Sequence, residues 1–148
     1  MSERDRNAVL EANAAFYEAF ESGRIENMER VWAGSEIDRC IHPGWPILSG
    51  WPSVRQSWLG IFNGSSNIHI EIEEVEVLVA GDLAFVTCVE TFEAVAGGQP
   101  VNASVAATNL FQRRGGQWRM IHHHGSPLAR ERERDRERAP KPPTRTVH

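Results

Sequence analysis

The sequence lacks most of the features that announce a function. It has two cysteines and one tyrosine in 148 residues. No apolar run approaches the ~20 residues that cross a bilayer. The opening Met1-Ser2-Glu3-Arg4-Asp5-Arg6 has none of the apolar character of a secretion signal. There is no internal repeat, no glycine-rich phosphate loop and no paired-cysteine site, so no cofactor is expected. Cys40 and Cys88 sit within apolar stretches and read as buried free thiols in a reducing compartment, which makes the cytoplasm the expected location; with no long apolar run, no membrane is expected as a partner. Nucleic acid is not an expected partner either. The net charge is −4, and residues 129–148 hold seven basic residues against four acidic ones, so residues 1–128 carry −7. An acidic body repels a phosphate backbone.

What is present is a chain long enough to bury one core, 41% hydrophobic and 24% charged. Residues 5–22 read as a helix with Val9, Ala12, Phe16, Ala19 and Phe20 on one face and Gly23 as its stop. A short second helix carries Ile25, Met28 and Trp32. Residues 37–42 read as a strand, and Pro43-Gly44-Trp45-Pro46 as a loop. A third helix spans about Trp51 to Phe62, with Pro52 in its first turn and Val54, Trp58, Ile61 and Phe62 inward. Four strands follow. The first alternates Ile68, Ile70 and Ile72 with polar residues, slips at Glu73-Glu74 and resumes at Val75, Val77 and Val79, the pattern of a β-bulge. The others cover residues 83–95, 101–113 and 117–124, with turns at Gly81-Asp82, Gly97-Gly98 and Gly115-Gly116. Three helices followed by long antiparallel strands define an α+β fold, and a curved sheet wrapped on helices leaves a cone-shaped cavity. The alternating charges of Arg130–Arg138 and the prolines at 140, 142 and 143 predict that 129–148 is a solvated tail separate from a 1–128 domain.

This order of elements, with Cys40-Ile41-His42-Pro43-Gly44-Trp45 and the final Gly116-Gln117-Trp118-Arg119-Met120-Ile121-His122-His123-His124-Gly125-Ser126-Pro127, resembles the SnoaL-like family of the nuclear transport factor 2-like, or ketosteroid-isomerase-like, superfamily. The resemblance spans about residues 8–127. It implies a cone of three N-terminal helices in a curved, mostly antiparallel sheet, a small-molecule pocket and a homodimer packed through the sheet. It also implies activities such as isomerisation, cyclisation or dehydration without a cofactor. Ketosteroid isomerases place their general base directly before a proline after the first strand. The matching position here is His42. Their two oxyanion donors correspond to Phe16 and Ala107, which have no side-chain donor, while Tyr17 lies one step (about 100°) around the helix. A lost oxyanion hole costs a proton-transfer enzyme several kcal/mol, so steroid isomerase activity is not expected.

His42 is the candidate general base, since imidazole exchanges protons near neutrality; the plainer reading is a histidine that closes a strand end. In the last strand His122 and His124 share a face, with Trp118 and Met120, and His123 takes the other. A three-histidine metal site with His42 is conceivable, but no acid lies near them in sequence, so pocket lining or a dimer face is preferred and no metal is expected. Asn109 is a polar residue in an apolar strand and a candidate ligand contact. Glu90 would be an acid if it faced the cavity and a solvated residue if it faced out. Trp45, Trp58 and Tyr17 complete the candidate lining, which suits a small apolar or aromatic ligand. The chain thus reads as a small-molecule-binding domain in which His42 acts as general base on an apolar carbonyl compound; the alternative is a non-catalytic ligand-binding or homodimerisation module.

Overall fold

The computed structural model of the chain describes residues 2–129; apart from Ala129, the expected 129–148 tail lies outside the described residues. Helix α1 (Glu3–Ser22) begins at Ser2, whose hydroxyl accepts the Asp5 N–H at 3.0 Å. It ends where Gly23 takes the left-handed conformation that side chains disfavour. Its buried stripe is Val9, Asn13, Phe16, Tyr17, Ala19 and Phe20, helical spacing with two polar residues set among the apolar ones. Helix α2 (Ile25–Val31) buries Met28, and Trp32 caps it. Helix α3 (Trp51–Gly64) carries its proline in the first turn, where the missing N–H is not needed.

Strands β1 (Arg39–Ile41), β2 (Leu48–Ser49), β3 (Ser65–Ala80), β4 (Leu83–Ala96), β5 (Gln99–Arg114) and β6 (Gln117–Leu128) form one sheet ordered β2-β1-β6-β5-β4-β3. Its neighbours are antiparallel except β1 and β6, which run parallel. The slip expected in β3 is a bulge between Glu73 and Glu76, where Glu74 has φ 54°, and a second lies between Ser66 and His69. Each adds a residue to one strand and bends it, so the long strands curl around the helices into a cone. The short strand β2, unforeseen in the sequence, pairs with β1. Among the described residues, no helix is long and apolar enough to cross a membrane.

The core lies between the helices and the inner sheet face. Trp58 is its centre: fully buried, it meets Phe16 at a ring-centroid distance of 5.7 Å, Phe20 at 4.7 Å and His42 at 4.8 Å. The cone is therefore filled at mid-depth rather than hollow.

A further bulge decides the face of every histidine in β6. Phe111 pairs with Met120, but Leu110 pairs with His122, so Ile121 is an extra residue. It sits where β6 changes partner: Ala33 N–H donates to the Met120 carbonyl at 2.9 Å, and β1 takes over at His122. The expected common face of Trp118, Met120, His122 and His124 is thereby overturned, because one inserted residue inverts the alternation beyond it. Met120 and His123 are buried inside, and His122 and His124 turn to the outer face.

Candidate functional site

The site is built on two stations, one at the mouth of the cone and one in its depth. At the mouth, His42-Pro43-Gly44-Trp45 forms a tight turn closed by Trp45 N–H donating to the His42 carbonyl at 2.8 Å. Proline presets the second position and Gly44, at φ 81°, supplies the positive φ of the third. The turn brings Trp45 edge-on to His42, centroids 4.9 Å apart, with Trp45 itself 45% exposed. Opposite the turn, Gly125 of β6 leaves the room Pro43 occupies: a Cβ there would stand 3.0 Å from Val105 Cγ1 and 3.2 Å from Pro43 Cγ.

His42 Nε2 lies 2.8 Å from Ser57 Oγ, and Ser57 donates its only hydrogen to the Val54 carbonyl at 2.7 Å. Ser57 must then accept from the ring, so His42 carries its proton on Nε2 and presents a lone pair at Nδ1. Burial holds the ring neutral by lowering its pKa to about 4. Cys40 Sγ lies 3.6 Å from Nε2, and burial, then Glu90, raise the thiol far above its usual range. Cys40 is thus an inert neighbour, not a nucleophile.

In the depth of the cone a polar row crosses from α1 to the sheet. Asn109 donates both amide hydrogens, to Asn13 Oδ1 at 2.8 Å and to the Tyr17 hydroxyl at 3.1 Å. Its own oxygen therefore accepts from His123 Nδ1, at 2.5 Å. Tyr17 donates to Glu90 Oε2 at 2.6 Å and touches Cys88 Sγ at 3.3 Å. Glu90 thus faces inward. Burial raises its carboxyl to about 7, against the opposing pull of the Tyr17 hydrogen bond. His123, completely enclosed, is held well below its usual range, mainly by burial. The 4.0 Å approach of His123 Nε2 to Glu90 Oε2 is accordingly no fixed ion pair, since each group favours its neutral form. The Tyr17 hydrogen is spent on Glu90, so the pair does not replace the two donors missing at Phe16 and Ala107.

The structure brings Tyr17, Glu90 and Asn109 into one row and sets His42, Trp45 and Trp58 together above it. It leaves His122 and His124 out: they lie on the outer sheet face with ring centroids 6.4 Å apart. Burial, then His124 and Arg39, lower the His122 pKa. Asn13, Ser57 and His123 belong to the site and were not singled out in the sequence. Asn13 falls four residues after Val9 and three before Phe16, so helical spacing alone places it on the buried stripe. Ser57 falls three after Val54. Nothing local marks His123, whose face depends on the bulge. Among the described residues, no group of three or more His, Cys, Asp or Glu is arranged to hold a metal.

A six-stranded curved sheet closed over three helices, with a polar row on its inner face, defines a cone of the nuclear transport factor 2-like superfamily. Within it, the chain belongs to the SnoaL-like domain family, whose pattern it matches over residues 9–130. A candidate dehydratase of the nuclear transport factor 2-like family from Streptomyces avermitilis is 35% identical, with a TM-score of 0.80 over 86% of this chain and 99% of that one. A candidate calcium/calmodulin-dependent protein kinase type II association domain from Thiobacillus denitrificans is 30% identical, with a TM-score of 0.70 over 80% of this chain and 93% of that one. The F-box protein SKIP8 of Arabidopsis thaliana is 30% identical over 121 residues, 82% of this chain. The chain spans 50% of that relative's length.

Proposed function

We propose that the domain binds a small apolar carbonyl compound and acts on it without a cofactor, as an isomerase, cyclase or dehydratase does, with His42 as general base. The observation that carries this is the Ser57–His42 hydrogen bond, which fixes the tautomer and leaves a neutral ring with an unprotonated Nδ1. A base needs that state at working pH. Likeness to the Streptomyces candidate dehydratase supports the same class of chemistry. The buried thiols fit a cytoplasmic setting.

The test is exchange of the α-hydrogens of 2-tetralone, a flat apolar ketone, into deuterated water, followed by proton NMR. The wild-type protein is expected to accelerate exchange, and His42→Ala to lose about a hundredfold of that acceleration while staying folded. Exchange equal in the two proteins would remove His42 as the base. No acceleration by wild type would leave a binding domain without this chemistry.

A second reading, a homodimer through the sheet, is favoured by one feature of the outer face. Leu78, Phe85 and Leu110 stand in register across β3, β4 and β5, with Leu78 49% and Phe85 41% exposed. Such a row in contact with solvent marks an association surface, and the likeness to a candidate association domain agrees with it. Phe85→Glu is expected to convert a dimer to a monomer in analytical ultracentrifugation. A wild-type protein that is monomeric at high concentration would end this reading.

A further inference from the structure

We infer that the ligand is held outside the filled cone, in a cleft between the 43–48 loop and α3, and that it is a neutral, flat, apolar molecule laid across Gly60. This rests on the ligand-binding reading above and names where and what that ligand is. The cleft is broadly open to solvent and offers about 620 Å³, within the range of small-molecule sites. Trp45, Leu48 and Pro52 form its apolar walls, Ser53, Gln56 and Ser57 its polar points, and Gly60 part of its floor.

Its lining residues include no charged side chain, so an ionised ligand would shed water there without gaining a counter-charge. An aromatic wall of Trp45 suits a planar ring. Ser57 is spoken for as a donor but keeps acceptor capacity, and its hydroxyl touches His42 Nε2. A hydroxyl or enol on the ligand can therefore donate to Ser57 Oγ, whose other lone pair accepts from His42 Nε2.

Gly60 leaves the α3 backbone bare where it lines the cleft. It lies inside α3, where glycine is less favourable than alanine because it orders a freer backbone. The fold does not require it there: a Cβ would meet nothing within 4 Å, and no positive φ is recorded. The helix thus carries an unfavourable residue that its own packing does not explain, on the face that floors the cleft. A flat ligand can lie against that bare backbone.

The probes are 2-naphthol, neutral at pH 7, and 2-naphthoate, its anionic counterpart, with binding read by isothermal titration calorimetry and by proton NMR line broadening. The full chain is expected to bind the naphthol and to bind the carboxylate at least tenfold more weakly. Gly60→Leu should weaken naphthol binding at least tenfold with unchanged circular dichroism. Gly60→Ala should raise Tm and weaken binding by a smaller factor. Naphthol binding unaffected by Gly60→Leu would put the ligand elsewhere and overturn the cleft, as would no binding to wild type or preference for the carboxylate. The two proposals fail separately: His42→Ala tests the base through tetralone exchange alone, and Gly60→Leu tests the cleft through naphthol binding. Exchange that persists in Gly60→Leu sinks the cleft and spares His42.

Discussion

Asn109→Ala is expected to destabilise the domain by about 4 kcal/mol and to lower Tm by roughly 10–15 °C. Asn109 is fully buried and is the hub of the polar row, donating to Asn13 and Tyr17 and accepting from His123. Removing its amide strands the His123 Nδ1–H and the Asn13 oxygen in the dry interior, each at about 1–3 kcal/mol. Tyr17 loses less, because its own hydrogen still goes to Glu90. Asn13→Ala, which cuts one of the three contacts, should cost about a third as much. Replacing both ends of one bond, as in Asn109→Leu with His123→Phe, should recover about half of the loss, since it removes the orphan at His123 while the Asn13 oxygen stays unpaired. Urea unfolding of these variants decides the matter; a loss below about 1 kcal/mol for Asn109→Ala would mean that the row is not the structural element described.

The pH dependence of stability should separate Glu90 from the histidines. Glu90 has its folded pKa raised from 4.5 to about 7. Between those values the folded carboxyl keeps a proton that the unfolded chain has released, so its contribution is complete below pH 4.5 and is lost as pH rises through 7. The full change is about 3 kcal/mol. His42 has its folded pKa lowered from 6.5 to about 4. There the unfolded chain takes the proton first, so stability rises with pH from 4 to 6.5 by a similar amount, about 3 kcal/mol. His123 adds to that rise, since burial lowers its pKa as well. In the wild type the Glu90 slope cancels roughly one histidine. Glu90→Gln removes the cancellation. Relative to wild type, it should gain about 3 kcal/mol between pH 4.5 and 7.5 in a series of urea titrations. Parallel curves for the two proteins would mean that Glu90 is not held protonated by burial.

Much of this was legible in the chain itself. Helical spacing identified α1 and α3, glycine marked the α1 stop, and the slip at Glu73-Glu74 gave the β3 bulge. These signals are local: a residue's neighbours three, four or two positions away fix what its backbone does. His42-Pro43-Gly44-Trp45 is of the same kind, because a proline followed by glycine defines the turn that sets a tryptophan on an imidazole. Family likeness then turned three helices and a curved sheet into a cone with His42 at its mouth.

Tertiary structure alone decided which side chains enter the cone. Alternation divides a strand into two faces but does not say which is inside, so Glu90 stayed open until β4 was paired and covered by Tyr17. In β6 even the division failed. The extra residue at Ile121 answers to Ala33 and β1, segments some eighty residues earlier in the chain, and it exchanged His122 and His124 for His123. Nor did the sequence disclose that Trp58 fills the cone, because whether a large aromatic lines a cavity or plugs it depends on how far the surrounding elements stand apart. The sequence by itself determined the elements and the turn that carries His42; packing between distant segments determined the polar row and the faces of the histidines.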